Sequence, residues 1–168
     1  MTEETPNPAD KPQAAPSADA RQVALQKIYV KDVSMEVPQA PQVFTREWKP
    51  KIDVELDTQA SRVNEQIHEV TVRITMKARL GDDIAYLAEV EQAGLFAMSG
   101  FQDDAEFRAV LGAYCPNILF PFIREAMSDL VQRSGFPPYL LQPINFEAIY
   151  RQRLAAEQQG KQPGQTKH

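Results

Sequence analysis

Apolar and polar residues trade places along this chain with two different periods, and the period changes near its middle. In the first half the period is two, the signature of a half-buried strand. Lys51 to Asp57 puts Ile52, Val54 and Leu56 on one side and Lys51, Asp53, Glu55 and Asp57 on the other. Thr71 to Leu80 does the same with Val72, Ile74, Met76 and Ala78 against Arg73, Thr75, Lys77 and Arg79. Ile84 to Gln92 sets Ile84, Tyr86, Ala88, Val90 and Gln92 opposite Leu87, Glu89 and Glu91, and LGDD between these last two runs reads as a hairpin turn. Val23 to Val37 is also strand-like, but its apolar side changes part-way: Ile28 and Val30 share one face, Tyr29, Val33, Met35 and Val37 the other. A bulge, or cover on both faces in mid-strand, accounts for the switch. PQAPQVFTREWKP, after the first strand, is a proline-punctuated crossover.

Past Gly100 the period becomes helical. Asp103 or Asp104 is placed to cap a short helix through Arg108 to Leu111. Next comes LGAYCPNILFPFIREAMSDLVQRSG, whose two prolines each remove a backbone donor, so it cannot be regular helix throughout. Ile118, Phe122, Ala126 and Leu130 recur at spacing four, beside a second stripe of Leu119, Ile123, Met127 and Val131. Gly135 stands where a helix C′ residue belongs. Two stripes make an apolar face too wide for one sheet, which points to a second partner such as another subunit. Asn145 caps a last helix with Ile144 and Ile149 as its staple, and Phe146, Ile149, Tyr150 and Leu154 along one side. Strands first and helices later is the α+β pattern.

The block LGAYCPNILFPF closely resembles the signature of the SecB protein-export chaperones. IYVKDVSMEVPQAPQVF, the lone Trp48, EVEQAGLF and PINFEAIY resemble further SecB blocks in the same order, and together they cover roughly Gln26 to Leu154. The resemblance implies a four-stranded antiparallel Greek-key sheet with helices on one face, assembled as a dimer of dimers. It also implies a holdase that keeps unfolded secretory and outer-membrane preproteins competent for translocation without ATP and passes them to the SecA ATPase. SecA contacts would fall on Asp32, Glu36, Leu87 and Glu89. The other side of the fourth strand, Ala88, Val90 and Gln92, would lie at the subunit interface. Client grooves would run between the crossover and the last helix, where Val43, Phe44, Trp48, Phe146, Ile149 and Tyr150 are the candidates.

Composition narrows the alternatives. The chain has 168 residues, enough for one domain with a real core, and a net charge of −5 that argues against nucleic-acid binding. No run approaches the roughly 18 apolar residues of a spanning helix, and the polar, acidic N-terminus lacks an apolar signal region, so a cytoplasmic location without membrane insertion is expected. Residues 1–20 and 158–168 read as tails around a domain of 21–157, the first tail holding Pro6, Pro8, Pro12 and Pro16. Some SecB tails are acidic and are thought to touch the ATPase. This C-terminal one carries Lys161 and Lys167, which leaves such a contribution open.

Catalysis fails by inventory. Within the expected domain His68 is the single histidine, and no Ser, Cys or second His pairs with it at a recognisable spacing. Cys115, between Tyr114 and Pro116, reads as a buried, inert thiol and excludes an internal disulfide. One Cys and one internal His are too few for a zinc site, and Asp82–Asp83 and Asp103–Asp104 suit turn and cap positions. No cofactor is expected. A SecB-like holdase serving another system, such as a toxin–antitoxin pair, and a small-molecule-binding α+β oligomer remain as alternatives.

Overall fold

The computed structural model describes residues 20–160 of the chain. Four strands come first: β1 (Gln22–Glu36), β2 (Lys51–Arg62), β3 (Ile67–Leu80) and β4 (Asp83–Ser99). They form one sheet of order β1-β4-β3-β2, antiparallel at every pairing. β2, β3 and β4 make a meander and β1 returns to lie beside β4, which is the Greek-key order expected. Leu80 and Asp83 face each other across the β3–β4 turn, and Gly81 there has φ +63°. A type II′ turn requires positive φ at that first central position, and glycine meets it without strain.

Register decides what each face carries. Leu56, Ile74 and Val90 sit side by side across β2, β3 and β4, as do Val54, Met76 and Ala88, so the apolar sets of these strands coincide on one inward face, except that a register shift at Ala78/Arg79 turns Ile84 to the other side, opposite Arg79. β1 joins it through register shifts between Leu25 and Lys27 and between Val30 and Asp32. The second shift leaves Lys31 unpaired, so Val30 (opposite Gln92) and Val33 (opposite Val90) both point inward although an odd number separates them. The bulge is the reason that the apolar side of this strand switches.

Helices follow: α1 (Asp104–Ala109), a π-helical turn (Val110–Tyr114), α2 (Cys115–Arg133) and α3 (Phe146–Gly160). Asp103 caps α1 by accepting from the Ala105 N–H at 2.9 Å. In the π turn the Cys115 N–H donates to the Val110 carbonyl five residues back. Pro116 follows in the first turn of α2, where a missing N–H costs little, and Pro121 is carried inside the helix. The irregularity demanded by the prolines is thus placed in the turn before Cys115. α2 ends as a Schellman motif, with the Gly135 N–H on the Gln132 carbonyl at 3.0 Å and the Phe136 N–H on the Val131 carbonyl at 3.3 Å.

α2 packs on β3 and β4. Leu119, Ile123, Met127 and Val131 are buried against the sheet, and Gly94 on β4 is where the helix comes closest: a Cβ there would stand 2.8 Å from Leu119 Cδ2. The neighbouring stripe, Ile118, Phe122, Ala126 and Leu130, is only partly covered, and Phe122 is 46% exposed. Asn145 caps α3 by accepting from the Ala148 N–H at 2.9 Å. That helix runs to Gly160, past the boundary expected at 157. The rest of the expected tails, residues 1–19 and 161–168, lies outside the described residues.

Candidate functional site

The outward face of the sheet, opposite α2, brings the expected acidic residues together. Asp32 pairs with Glu91, Ser34 with Glu89 and Glu36 with Leu87 along the β1–β4 ladder. On the other side of β4, Arg73 pairs with Glu91, Thr75 with Glu89 and Lys77 with Leu87. Asp32, Glu36, Leu87 and Glu89 therefore share one patch on two adjacent strands. Their electrostatic states differ. Glu91 is held by Arg73, whose Nη2 stands 2.5 Å from its Oε2. Glu89 accepts from Thr75 Oγ1 at 2.9 Å and lies 3.9 Å from Arg73 Nε. Asp32 and Glu36 are exposed, and among the described residues neither forms an ion pair. Free carboxylates thus line the β1 edge, and the base of β3 offsets those nearer the middle.

A second carboxylate on this face is fully engaged. Glu69 accepts from the Tyr29 hydroxyl and from Lys31 Nζ, the latter at 2.7 Å. The Lys31 bond, then the Tyr29 bond, hold its carboxyl below the usual range, while the bond to Glu69 pushes the Tyr29 phenol up to about 12. Lys31, the bulged residue of β1, is what supplies the cation.

The candidate client residues divide into two places. Phe44, in a 3₁₀ turn of the crossover (Gln42–Thr45), and Trp48 meet Phe136 with ring centroids 5.1 and 5.0 Å away. Behind them Tyr86 lies 5.0 Å from Phe136 and 6.3 Å from Trp48, so four rings form one cluster at the end of α2. Phe44 is 49% exposed, and Gly135 lets its ring approach, since a Cβ there would stand 3.0 Å from Phe44 Cε1. The other group sits at the start of α2. Phe146 stacks edge-on with Phe120 at 5.8 Å, and the Tyr150 ring lies against Gly112, where a Cβ would collide with it. Beside them is an apolar cavity of about 670 Å³, lined by Val110, Ala113, Tyr114, Pro143, Ile144 and Phe146 among others. Phe120 and Gly135 are 135 − 120 = 15 residues apart on one helix and its cap, which is about 22 Å at the usual rise.

Three expectations change here. Phe44 and Trp48 do not face Ile149 and Tyr150 across one groove, because α2 holds the groups at opposite ends. Val43 (3% exposed) is a core residue and offers no surface to a client, and Phe146 (2%) is a core residue that reaches the outside only in the wall of the cavity. Ala88, Val90 and Gln92 are likewise no exposed interface: α2 of the same chain covers them, with Val90 and Ala88 fully buried and Gln92 3% exposed. Periodicity put them on the correct face but could not say that their own helix covers it.

Cys115 is buried in the core, and burial pushes its thiol up to about 12, far from a nucleophile's range. His68 is buried against the Phe107 ring at 5.1 Å, its Nδ1 has no partner, and burial lowers its pKa. Neither neighbours an acid–base pair. Among the described residues no three His, Cys, Asp or Glu side chains gather as a metal site, and no helix is long and apolar enough to cross a membrane.

The family model described as "Preprotein translocase subunit SecB" matches residues 16–157. The chain belongs to the SecB family. The protein-export protein SecB of Methylococcus capsulatus is 50% identical over 143 residues, covering 85% of this chain and 92% of that relative. The SecB of Nitrosococcus oceani is 46% identical over 148 residues, covering 87% and 90%. Among solved structures, a SecB-like chaperone of Mycobacterium tuberculosis in complex with an antitoxin peptide superposes with a TM-score of 0.58 at 20% identity, over 73% of this chain and 90% of that one. That likeness is one of fold. For this SecB-family chain, sequence reasoning missed Tyr86 and Phe136 as partners of Trp48. Phe136, directly after the C′ glycine, occupies the position whose side chain folds back on a Schellman-capped helix, and that was the available signal.

Proposed function

We propose that this SecB-family export chaperone holds unfolded secretory and outer-membrane preproteins on its exposed aromatic surfaces and hands them to the SecA ATPase through the outward face of its sheet. It works in the cytoplasm as a dimer of dimers and is not an enzyme. The observation that carries the handover is the cross-strand register, which sets Asp32, Glu36, Leu87 and Glu89 in one strip opposite α2. An apolar residue with carboxylates on its β1 side and along its own strand suits a transient partner, because such charges govern on-rate and specificity more than deep affinity.

Client capture is supported by Phe44 and Trp48, aromatic side chains on a crossover that a purely soluble loop would make polar, and by the cavity at the other end of α2, with the partly exposed Ile149 and Tyr150 on the helix that helps to wall it. Assembly is supported by the half-covered stripe of α2, and Phe122 rather than Val90 is the residue to test.

The decisive experiment titrates full-length protein with SecA and, separately, with a reduced unfolded preprotein. Glu89→Lys is expected to weaken SecA binding at least about tenfold and to leave client binding unchanged. Phe44→Ala with Trp48→Ala is expected to do the reverse, costing about 1–3 kcal/mol of client affinity per side chain. Native mass spectrometry should find about four times the 18.9 kDa chain mass, and smaller species for Phe122→Asp. Equal loss of both ligands in Glu89→Lys sinks the assignment of that face.

A further inference from the structure

Leu87 is bordered on both sides. Across one ladder lies Glu36 of β1, and across the other lies Lys77 of β3. Beyond Lys77 the outward face sinks into a depression of about 610 Å³ lined by Asp53, Glu55, Thr75, Lys77, Arg79 and Leu87. Asp53 stands opposite Lys77 in the β2–β3 register but is bonded by Arg79 instead. Among the described residues Lys77 has no hydrogen-bond or ion-pair partner, and it is half-buried beside Leu87.

Directly opposed side chains on neighbouring strands have Cβ atoms about 5 Å apart. Any partner that covers Leu87 therefore strips water from the Lys77 ammonium as well. A cation desolvated without an anion opposes binding, whereas one met by a carboxylate fixes orientation. We propose that Lys77 receives a carboxylate of the partner that docks on this face, so that the footprint continues past Leu87 into the depression. The inference rests on the reading of the outward face as the SecA contact. It adds that the partner surface is not uniformly basic: it carries bases over Asp32 and Glu36 and an acid over Lys77. Since Glu36 and Lys77 lie two strand spacings apart, the opposite charges on the partner are separated by about 10 Å. Docking in the reversed direction would set like charges against each other at both ends.

The sign of one substitution decides it. If the face attracted only cations, Lys77→Glu would strengthen binding. If Lys77 meets a carboxylate, it weakens binding. Titrating full-length tetrameric protein with purified SecA at low and physiological salt, Lys77→Glu should raise Kd at least about tenfold, Lys77→Gln about threefold, and Lys77→Arg less than twofold. Circular dichroism, native mass and binding of an unfolded preprotein should be unchanged in all three. Equal or tighter SecA binding by Lys77→Glu or Lys77→Gln overturns the inference while Glu89→Lys still weakens the complex. Normal SecA binding by Glu89→Lys overturns the underlying reading of the face, and this inference with it.

Discussion

The sheet presents its inward and outward faces from the same four strands, one residue apart. On the inward face Val70, Val72, Ile74, Met76, Ala78, Ala88 and Val90 are all fully buried, and α2 closes over them. Across the pleat, Arg73, Thr75, Lys77, Glu89 and Leu87 keep solvent access, tied loosely by cross-strand bonds. Stability is concentrated on the first face, where each lost contact leaves a void or an unpaired charge. Recognition is available only on the second, where side chains exchange water for a partner at small cost. The difference teaches that substitutions on a common strand, at adjacent positions, should report on different properties of the protein.

The largest expected effect comes from forcing the faces to exchange character. Val90→Arg places a charge under α2 with no partner and should cost about 4 kcal/mol or more, so that urea denaturation shows little or no folded population. If the variant instead keeps wild-type stability and merely falls to a smaller oligomer, α2 is not the true cover of that position. Gly94→Ala is next. The added methyl meets Leu119 Cδ2, a side-chain end that can yield, and the buried Phe96 ring at 2.9 Å, which yields less, so a loss of about 1–3 kcal/mol is expected in the same denaturation assay. Glu89→Lys, one residue from Val90, should shift stability by no more than about 1 kcal/mol, and its effect should be read in SecA binding.

The smallest effect sharpens the picture of the outward face by pH. Glu69 has a depressed folded pKa, so its contribution is full above the ordinary carboxylate range and is lost as pH falls through the folded value. Tyr29 is an acid whose folded pKa is raised to about 12. The stability of its neutral form is present below its ordinary pKa of 10.0 and lost as pH rises from there toward 12. Burial also raises Tyr86 and Cys115 to about 12, so Tyr29→Phe should reduce the alkaline slope of the stability profile without abolishing it, and shrink the acid one. A profile identical to wild type would mean that the bond contributes nothing in solution.

Much of this was legible beforehand, and for stated reasons. Clean alternation found β2 and β3, spacing of four found both stripes of α2, and local chemistry found the caps at Asn145 and Gly135 and left Asp103 or Asp104 for α1, of which the structure selects Asp103. β4 ran on through Ser99 where alternation failed, because Ala93 on the outward side is as buried as Phe96 on the inward side, so the sequence there carries no polar partner face. The acidic strip was legible as residues on two strands, but its geometry needed the register. What covers a face, and whether Val43 or Phe146 is rim or core, depends on contacts between distant segments, and periodicity contains no information about those.

The unpaired Lys31 in β1 has a consequence of another kind. A strand is read two residues at a time, and an odd insertion shifts its phase for everything downstream, much as a single inserted letter shifts a triplet message. Before Lys31 the strand is in one frame, with Ile28 and Val30 inward; after it the strand is in the other, with Val33 and Met35 inward and Asp32, Ser34 and Glu36 outward. Deleting that one lysine would remove the ion pair to Glu69, and beyond that it would rotate the whole acidic half of β1 to the α2 side of the sheet or break its pairing with β4. Position 31 is therefore one where the chain tolerates substitution better than deletion: a substitution gives up the bond to Glu69, whereas a deletion also changes the count of residues.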